Sequence, residues 1–376
     1  MDIQKKHLAD RLETIDLSHN NVLVGFDGFI DEIVHPVDKR LSIDQFTRID
    51  TITAFAKRID RASGLSTNIE LVPIQKKIGG NGPIMTNALA QHHPKITYVG
   101  TLGFPHIDPI FKEMGTQVDL ITIADCGHTD AYEFLDGKLL FGKMDGMNEV
   151  TYSRLIDRIG KKRLIQLYDQ ADLFVSVNWS MLPHMSDLWE SLQEKILPHL
   201  TNRPQRPIMF VDLADPEKRD PDAIRQALGL LKGFQSHFFV VLGLNKKEAY
   251  DIGRVLHLFD EGSLMMMSVS LKDITCALNQ ALALDGIVVH PVDCSATVIS
   301  GTYQEAKGPF CANPKLTTGA GDNFNAGFVL GLLLGLDPLN ALQIGMATSG
   351  YYVRHAKSPT TVELVQFIRD WANDNL

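Results

Sequence analysis

Near-continuous apolar, β-branched runs recur along the chain at Asn21–Phe26, Ile96–Leu102, Leu173–Val177, Ile208–Leu213, Phe238–Leu242 and Gly286–His290. Runs without polar alternation suit strands buried on both faces, and such strands occur in parallel sheets covered by helices. Between most of them lie stretches with helical spacing, at Pro83–His93, Tyr152–Gln170, Asp222–Lys232, Lys246–Val255, Leu271–Ala283, Ala320–Leu334, Pro338–His355 and Val362–Asn373. This alternation predicts an α/β fold, and 376 residues, 44% of them hydrophobic, suffice to bury a large core. No internal repeat, low-complexity tract or Pro/Gly/Ser linker interrupts the chain, so one folded unit is expected over residues 1–376.

Two stretches break the alternation. Ala131–Leu135 and Lys138–Phe141 flank Asp136-Gly137, a pair whose tolerance of positive φ suits a type I′ turn and an antiparallel hairpin. Such a hairpin is either a flap over a cleft or a plain surface excursion. The segment Glu32 to Lys77 is long for a connection, and its middle, Phe46–Ala62, has helical spacing. Structure outside the main layer is therefore expected roughly within residues 32–78 and 117–145.

The net charge of −9 argues against a nucleic-acid partner, since that affinity needs clustered Lys and Arg. Cys126, Cys276, Cys294 and Cys311 lack the close spacing of a zinc site or redox dithiol and read as reduced thiols. Met1 to Asp16 has no apolar signal core, and the longest apolar stretch, Ala326 to Leu336, is too short to span a bilayer. A cytoplasmic address without membrane contact follows as the expectation.

The chemistry is concentrated in Thr317-Thr318-Gly319-Ala320-Gly321-Asp322-Asn323-Phe324, which runs into an apolar helix. Glycines at a helix entrance let a ligand approach the backbone, while free N–H groups and the positive end of the helix dipole favour phosphate oxygens. A carboxylate at that spot repels a polyphosphate, so Asp322 is expected to act, taking a proton from an attacking hydroxyl. Its structural alternative is a favourable charge in the first helical turn. Gly327, Gly331 and Gly335, spaced four apart, read as packing glycines.

This segment resembles the Gly-Ala-Gly-Asp signature of the ribokinase-like (PfkB) carbohydrate kinases. The resemblance implies that Asp322 is the catalytic base and that the amides of Gly319, Ala320 and Gly321 form an anion hole, with Thr318 beside the nucleotide. Asn245-Lys246-Lys247-Glu248 resembles the family's Asn-x-x-Glu motif, implying that Asn245 and Glu248 hold magnesium and the phosphates, often through water. Gly25-Phe26-Asp27-Gly28-Phe29-Ile30-Asp31 and Gly79-Gly80-Asn81 resemble the sugar-binding segments, implying contacts from Asp31, Gly79, Gly80 and Asn81, with Asp27 as an alternative or second carboxylate. Asp212, followed by Asp215-Pro216-Glu217-Lys218-Arg219, is similar to the family's Asp-Pro-Asn-x-Arg stretch and stays open between a structural and a functional role.

The implied fold is a three-layer α/β/α sandwich with a central, mostly parallel sheet and a small β-lid. The implied activity is ATP- and Mg2+-dependent phosphorylation of a hydroxyl, a primary one, on a sugar or polyol. A homodimer through the lid also follows from the resemblance. Leu316 replaces an aspartate that helps ligate a monovalent cation, which makes potassium activation doubtful. His290-Pro291-Val292-Asp293 stands in place of the family's Thr-x-Gly turn, so adenine contacts do not transfer. The alternatives are a nucleoside kinase or ADP-dependent sugar kinase on the same fold, or a non-catalytic sugar-binding protein.

Overall fold

The computed structural model describes residues 2–376. Its first strands are β1 (Asn21–Phe26), β2 (Phe29–Arg40), β3 (Phe46–Arg48), β4 (Leu71–Gly79), β5 (Lys95–Thr101), β6 (Asp119–Ala124), β7 (Gly127–Phe134) and β8 (Gly137–Lys143). There follow β9 (Leu173–Val177), β10 (Ile208–Asp212), β11 (Phe239–Asn245), β12 (Gly286–His290), β13 (Cys294–Ile299) and β14 (Thr302–Lys307). Nine strands form the main sheet in the order β14-β13-β12-β11-β10-β9-β1-β5-β6. Pairing is parallel from β6 to β12, and β13 and β14 add an antiparallel edge.

The apolar runs serve both faces of this sheet. Leu23, Met209, Val211, Val240, Leu242, Ile287 and Val289 pack into one core layer, and Val22, Val24, Phe210, Val241 and Val288 into the other. Successive side chains of a strand point to opposite faces, so each run needs helices on both sides, and the three-layer arrangement results. Several helix starts are marked by side-chain caps, although Asn81–Ala90 and Ala320–Leu333 have none. Asn245 and Glu248 form a capping box at Lys246–Val255, and Thr360 and Glu363 another at Thr361–Ala372.

β2, β3, β4, β7 and β8 form a second, five-stranded sheet that stands away from the first as a lid. β2 is its centre, pairing in parallel with β7 and antiparallel with β4. Ile49, Phe55 and Phe134 give it a small core of its own, closed by the helix Ile52–Asp60.

Several expectations need correction. The Phe46–Ala62 helix is confined to Ile52–Asp60, because residues 46–48 pair with β2 as a strand. Tyr152–Gln170 is two helices, broken at Gly160, whose φ of +80° no right-handed helix accepts. The second lid segment begins at Gly127, since β6 belongs to the main sheet. In the β7–β8 hairpin Phe134 pairs with Gly137, so Leu135 and Asp136 make the turn, and neither has the positive φ of a type I′ turn. The turn is held from outside instead: Leu135 N–H donates to the Asp50 carbonyl at 2.8 Å and Ile52 N–H to Asp136 Oδ1 at 3.0 Å.

Gly327 and Gly331 do pack closely, since a Cβ would lie 2.4 Å from Thr348 Oγ1 at the first and 2.6 Å from Ala341 Cα at the second. Gly335 has nothing near it. With φ +64° it closes the helix Ala320–Leu333, its N–H donating to Leu332 O and that of Leu336 to Gly331 O, in a Schellman motif. Helices Ile3–Glu13 and Met185–Lys195 were not foreseen. All four cysteines are free, and among the described residues no helix is long and apolar enough to cross a membrane.

Candidate active site

The carboxyl ends of β1, β9, β10, β11 and β12 point toward one cleft of about 860 Å³, roofed by Thr129, Leu140, Gly142 and Met144 of the lid segments. Ligands of open α/β sheets bind at this end, because the loops there diverge around the topological switch. Of the residues singled out in the sequence, Asp31, Gly80, Asn81, Asn245, Glu248, Thr318, Gly319, Ala320, Gly321 and Asp322 all line the cleft.

Gly319 takes φ +87° as the residue before the helix Ala320–Leu333, a backbone shape that suits glycine. Tyr352 Oη donates to the Thr318 carbonyl at 2.8 Å and Asn323 Nδ2 to the Gly319 carbonyl at 2.9 Å, which fixes the loop. The amides are not equivalent. Ala320 N–H donates to the Thr317 carbonyl at 3.0 Å, whereas those of Gly319 and Gly321 meet no partner among the described residues. Asp322 N–H likewise meets none, so the open donors of this helix entrance are 319, 321 and 322, while the Ala320 amide is engaged within the loop.

Asp322 is buried in the first turn. Burial pushes its carboxyl up to about 7, against the hydrogen bond from Asn81 and with help from the charges of Asp27 and Glu248. Asn81 Nδ2 donates to Asp322 Oδ1 at 2.9 Å across 241 residues of sequence, joining the glycine turn of the N-terminal third to the late loop. Asp31 is half-buried, and burial raises its pKa against the pull of Lys77 and Thr129. A Cβ on Gly79 would lie 2.4 Å from the Asp31 carboxylate, so this glycine makes room for that side chain and does not itself face the cleft.

Asp27 departs from its expected place as a sugar ligand. It is fully buried, and it accepts from Asn81 N–H at 2.9 Å, Gly82 N–H at 3.0 Å, Asn178 Nδ2 at 2.7 Å and Tyr98 Oη at 3.2 Å. Burial raises its pKa while these donors oppose the rise. Asp27 thus anchors the helix start that carries Asn81 and is a positioning residue.

Sequence reasoning missed Asn178 and left Asp212 open, and both line the cleft. Asn178 follows β9 with φ +62°, faces the cleft, and leaves its Oδ1 buried without a partner. An Asn directly after a buried strand was the available signal, since Asn tolerates that conformation. Asp212, ending β10, accepts from Ala214 N–H at 2.8 Å and from Asn325 Nδ2 at 2.7 Å. Glu248 accepts from Asn245 N–H at 2.8 Å and Asp215 N–H at 2.9 Å, while Asn245 Oδ1 caps Glu248 N–H. Asp212 and Glu248 are both pushed above the carboxylate range, by burial first and then by neighbouring charge, Asp322 for Asp212 and Asp212 for Glu248.

Among the described residues no three His, Cys, Asp or Glu side chains converge to hold a metal ion unaided. Asn245 and Glu248 are partly spent on each other, yet each carboxylate oxygen retains a second acceptor site. Such a donor set fits a magnesium ion that keeps several waters. His290 closes the floor, its ring stacked on Phe324 at 4.6 Å; burial lowers its pKa to about 4, so it is neutral, and its Nε2 is unpartnered.

The raised carboxyls have a consequence for stability. Between the ordinary carboxylate range and about 7, the folded protein holds protons on Asp322 that the unfolded chain has released, and Asp212 and Glu248 act in the same sense. Stability therefore falls as pH rises through that window. We expect the melting temperature of the ligand-free protein to drop between about pH 5 and about pH 8, and magnesium, by favouring the charged forms, to lessen the drop. A flat profile in differential scanning calorimetry contradicts the burial argument.

Solved structures share this architecture at identities that speak to the fold alone. Arabidopsis thaliana ribokinase, complexed with ribose and ATP, superposes with a TM-score of 0.64 at 15% identity, covering 94% of this chain and 99% of that one. An adenosine kinase from Sinorhizobium meliloti gives 0.61 at 14% identity, with 94% and 99% covered. With the cleft at the strand ends and the Gly-Ala-Gly-Asp loop facing the glycine turn, the fold is that of the ribokinase-like (PfkB) kinases, and two sequence relationships make the chain a carbohydrate kinase, an enzyme that transfers a phosphoryl group to a sugar. A ketohexokinase of Haloferax volcanii is 29% identical over 348 residues, 92% of this chain and 90% of that one. The profile of prokaryotic ketohexokinases matches residues 5–371, and the chain belongs to that family.

Proposed function

We propose that the protein moves the γ-phosphoryl group of ATP to a primary hydroxyl of a ketohexose, with Asp322 as general base. One observation carries the reading: a buried carboxyl near 7 at a glycine-lined helix entrance, tied by Asn81 to the turn opposite. A base is most effective when its pKa lies close to the working pH. The Haloferax relative bears the name ketohexokinase, which supports a ketohexose before other acceptors.

In this scheme Asp31, Gly80 and Asn81 orient the sugar hydroxyls, with Gly79 leaving Asp31 its space. Asp322 accepts the hydroxyl proton as the oxygen attacks phosphorus in line, and the Gly319 and Gly321 amides meet the charge gathering on the phosphoryl oxygens. Magnesium, held through water by Glu248 and Asn245 with Asp212 beside them, would supply further neutralisation of the phosphates. The apolar end of the cleft, with Val292, Pro309, Met346 and Val353, suits a purine ring. We read the second sheet as the lid of one kinase unit. The same reading makes it a cytoplasmic enzyme that pairs through its lid hairpin, where Leu140 and Phe141 lie exposed.

The test is a phosphorylation screen with magnesium and either ATP or ADP over ketohexoses, aldohexoses, polyols and nucleosides. Fastest turnover on a ketohexose with ATP is the expected result. A preference for ADP or for a nucleoside replaces the donor or the acceptor in this scheme, and no transfer to any sugar ends it.

A further inference from the structure

The cleft has an imbalance of charge. Among the described residues its lining carries five carboxylates, Asp31, Asp212, Asp215, Glu248 and Asp322, and a single lysine or arginine, Lys218. A nucleoside triphosphate brings further negative charge into this space. Magnesium and the amides of the helix entrance offset part of it, and a protein cation that reaches the transferred group is a further means of neutralisation.

Lys218 has a fixed root and a free head. It stands on the loop after β10, where Ala214 and Asp215 have φ of +56° and +54°, a region side chains disfavour. That strained pair is held by carboxylates of the cleft: Ala214 N–H donates to Asp212 Oδ1 at 2.8 Å and Asp215 N–H to Glu248 Oε1 at 2.9 Å. Strain kept at a cleft, where its supports are costly buried acids, marks a loop whose shape matters. Past Lys218, Arg219 lies over the Trp179 ring at 4.6 Å and donates to the Ser180 and Leu182 carbonyls, which pins the loop on its far side. Among the described residues the Lys218 ammonium is bound only to Asp215, at 2.9 Å, in a pair with both partners about half exposed. Exposed pairs of this kind are weak and exchange readily. The neighbouring cations are committed elsewhere, Lys247 to Glu217 and Asp251, and Arg219 as described.

We propose that Lys218 releases Asp215 when nucleotide enters and donates hydrogen bonds to the phosphoryl group in transit. The inference rests on the phosphoryl transfer proposed above. In that step the sugar oxygen bonds to the γ-phosphorus as the bond to the β,γ-bridging oxygen breaks, the hydroxyl proton passes to Asp322, and the nucleoside diphosphate leaves with the bond's electrons. Lys218 keeps its protons throughout. Its contribution is largest where the γ-oxygens carry most charge, so it is read in kcat and in affinity for triphosphate, not in affinity for the sugar.

The experiment compares wild type with Lys218→Met, which keeps the stem, and Lys218→Arg, which keeps the charge. Lys218→Met is expected to lower kcat by about 10²-fold or more and to weaken a non-hydrolysable ATP analogue in calorimetry, with adenosine and ketohexose binding unchanged. Lys218→Arg restores part of the lost turnover. If wild type is active and Lys218→Met turns over at a similar rate, the assignment falls and the reaction stands. If Lys218→Met loses adenosine and triphosphate affinity equally, the residue merely shapes the loop and the assignment also falls. If wild type phosphorylates no sugar, the reaction itself is wrong and the assignment goes with it.

Discussion

Asp322→Asn is expected to lower kcat by about 10²–10⁴-fold while ketohexose affinity, measured by calorimetry, stays within about twofold. The substitution is nearly isosteric, and the new Oδ1 can still accept from Asn81 Nδ2, the contact that spans the cleft at 2.9 Å. What it loses is proton acceptance, which matters only as the hydroxyl attacks; such an interaction is read in kcat and not in ground-state binding. Residual turnover belongs to the amides of Gly319 and Gly321 and to alignment. In wild type, the unprotonated base forms as pH rises through about 7, so kcat climbs over that range, whereas the variant's profile is flat there. Wild-type turnover in the Asn variant removes Asp322 from the chemistry.

The second large effect falls on stability. Asp27→Ala leaves Asn81 N–H, Gly82 N–H and Asn178 Nδ2 without their acceptor in a fully buried place, whereas Tyr98 Oη keeps its bond to the main-chain carbonyl of residue 27 at 2.6 Å. An orphaned buried donor costs about 1–3 kcal/mol, and these share one small void that water can partly fill, so a loss of roughly 3–5 kcal/mol is expected in urea unfolding. Asp27→Asn recovers only part of this, because it keeps one acceptor oxygen while its amide meets main-chain N–H groups that cannot accept. Both variants are expected to lose turnover as well, through Asn81, whose backbone Asp27 fixes. A loss below about 1 kcal/mol means that the donors find other partners and that Asp27 anchors nothing.

The main sheet was legible because its inner strands are apolar on both faces, and β1, β9 and β12 begin and end where the runs do. The lid was legible only as an interruption. β2 carries Asp31, Glu32, His35, Asp38, Lys39 and Arg40 among its apolar residues, since a sheet with one small core needs few buried positions, and no hydrophobic run announces it. At the site, the motif residues landed on the cleft where a loop or helix entrance fixes their backbone. Asp27 could not be separated from Asp31 in sequence, because the difference lies in which side of the glycine turn each meets after folding. Asn178 and Asp212 carry only weak local signals, a strand end and a blurred motif, and their surroundings are assembled from strands far apart in the chain.

The lid departs from the body only at the ends of β1 and β6 and returns at Gly80 and Met144, so residues 29–79 and 127–143 form a module joined at short hinges. Asp322 and the amides of Gly319 and Gly321 lie entirely outside it. Transplanting the two segments together from a relative of different taste is thus a route to a chimera with new acceptor preference and unaltered donor handling, whereas exchanging either segment alone breaks the β2–β7 seam and leaves half a roof.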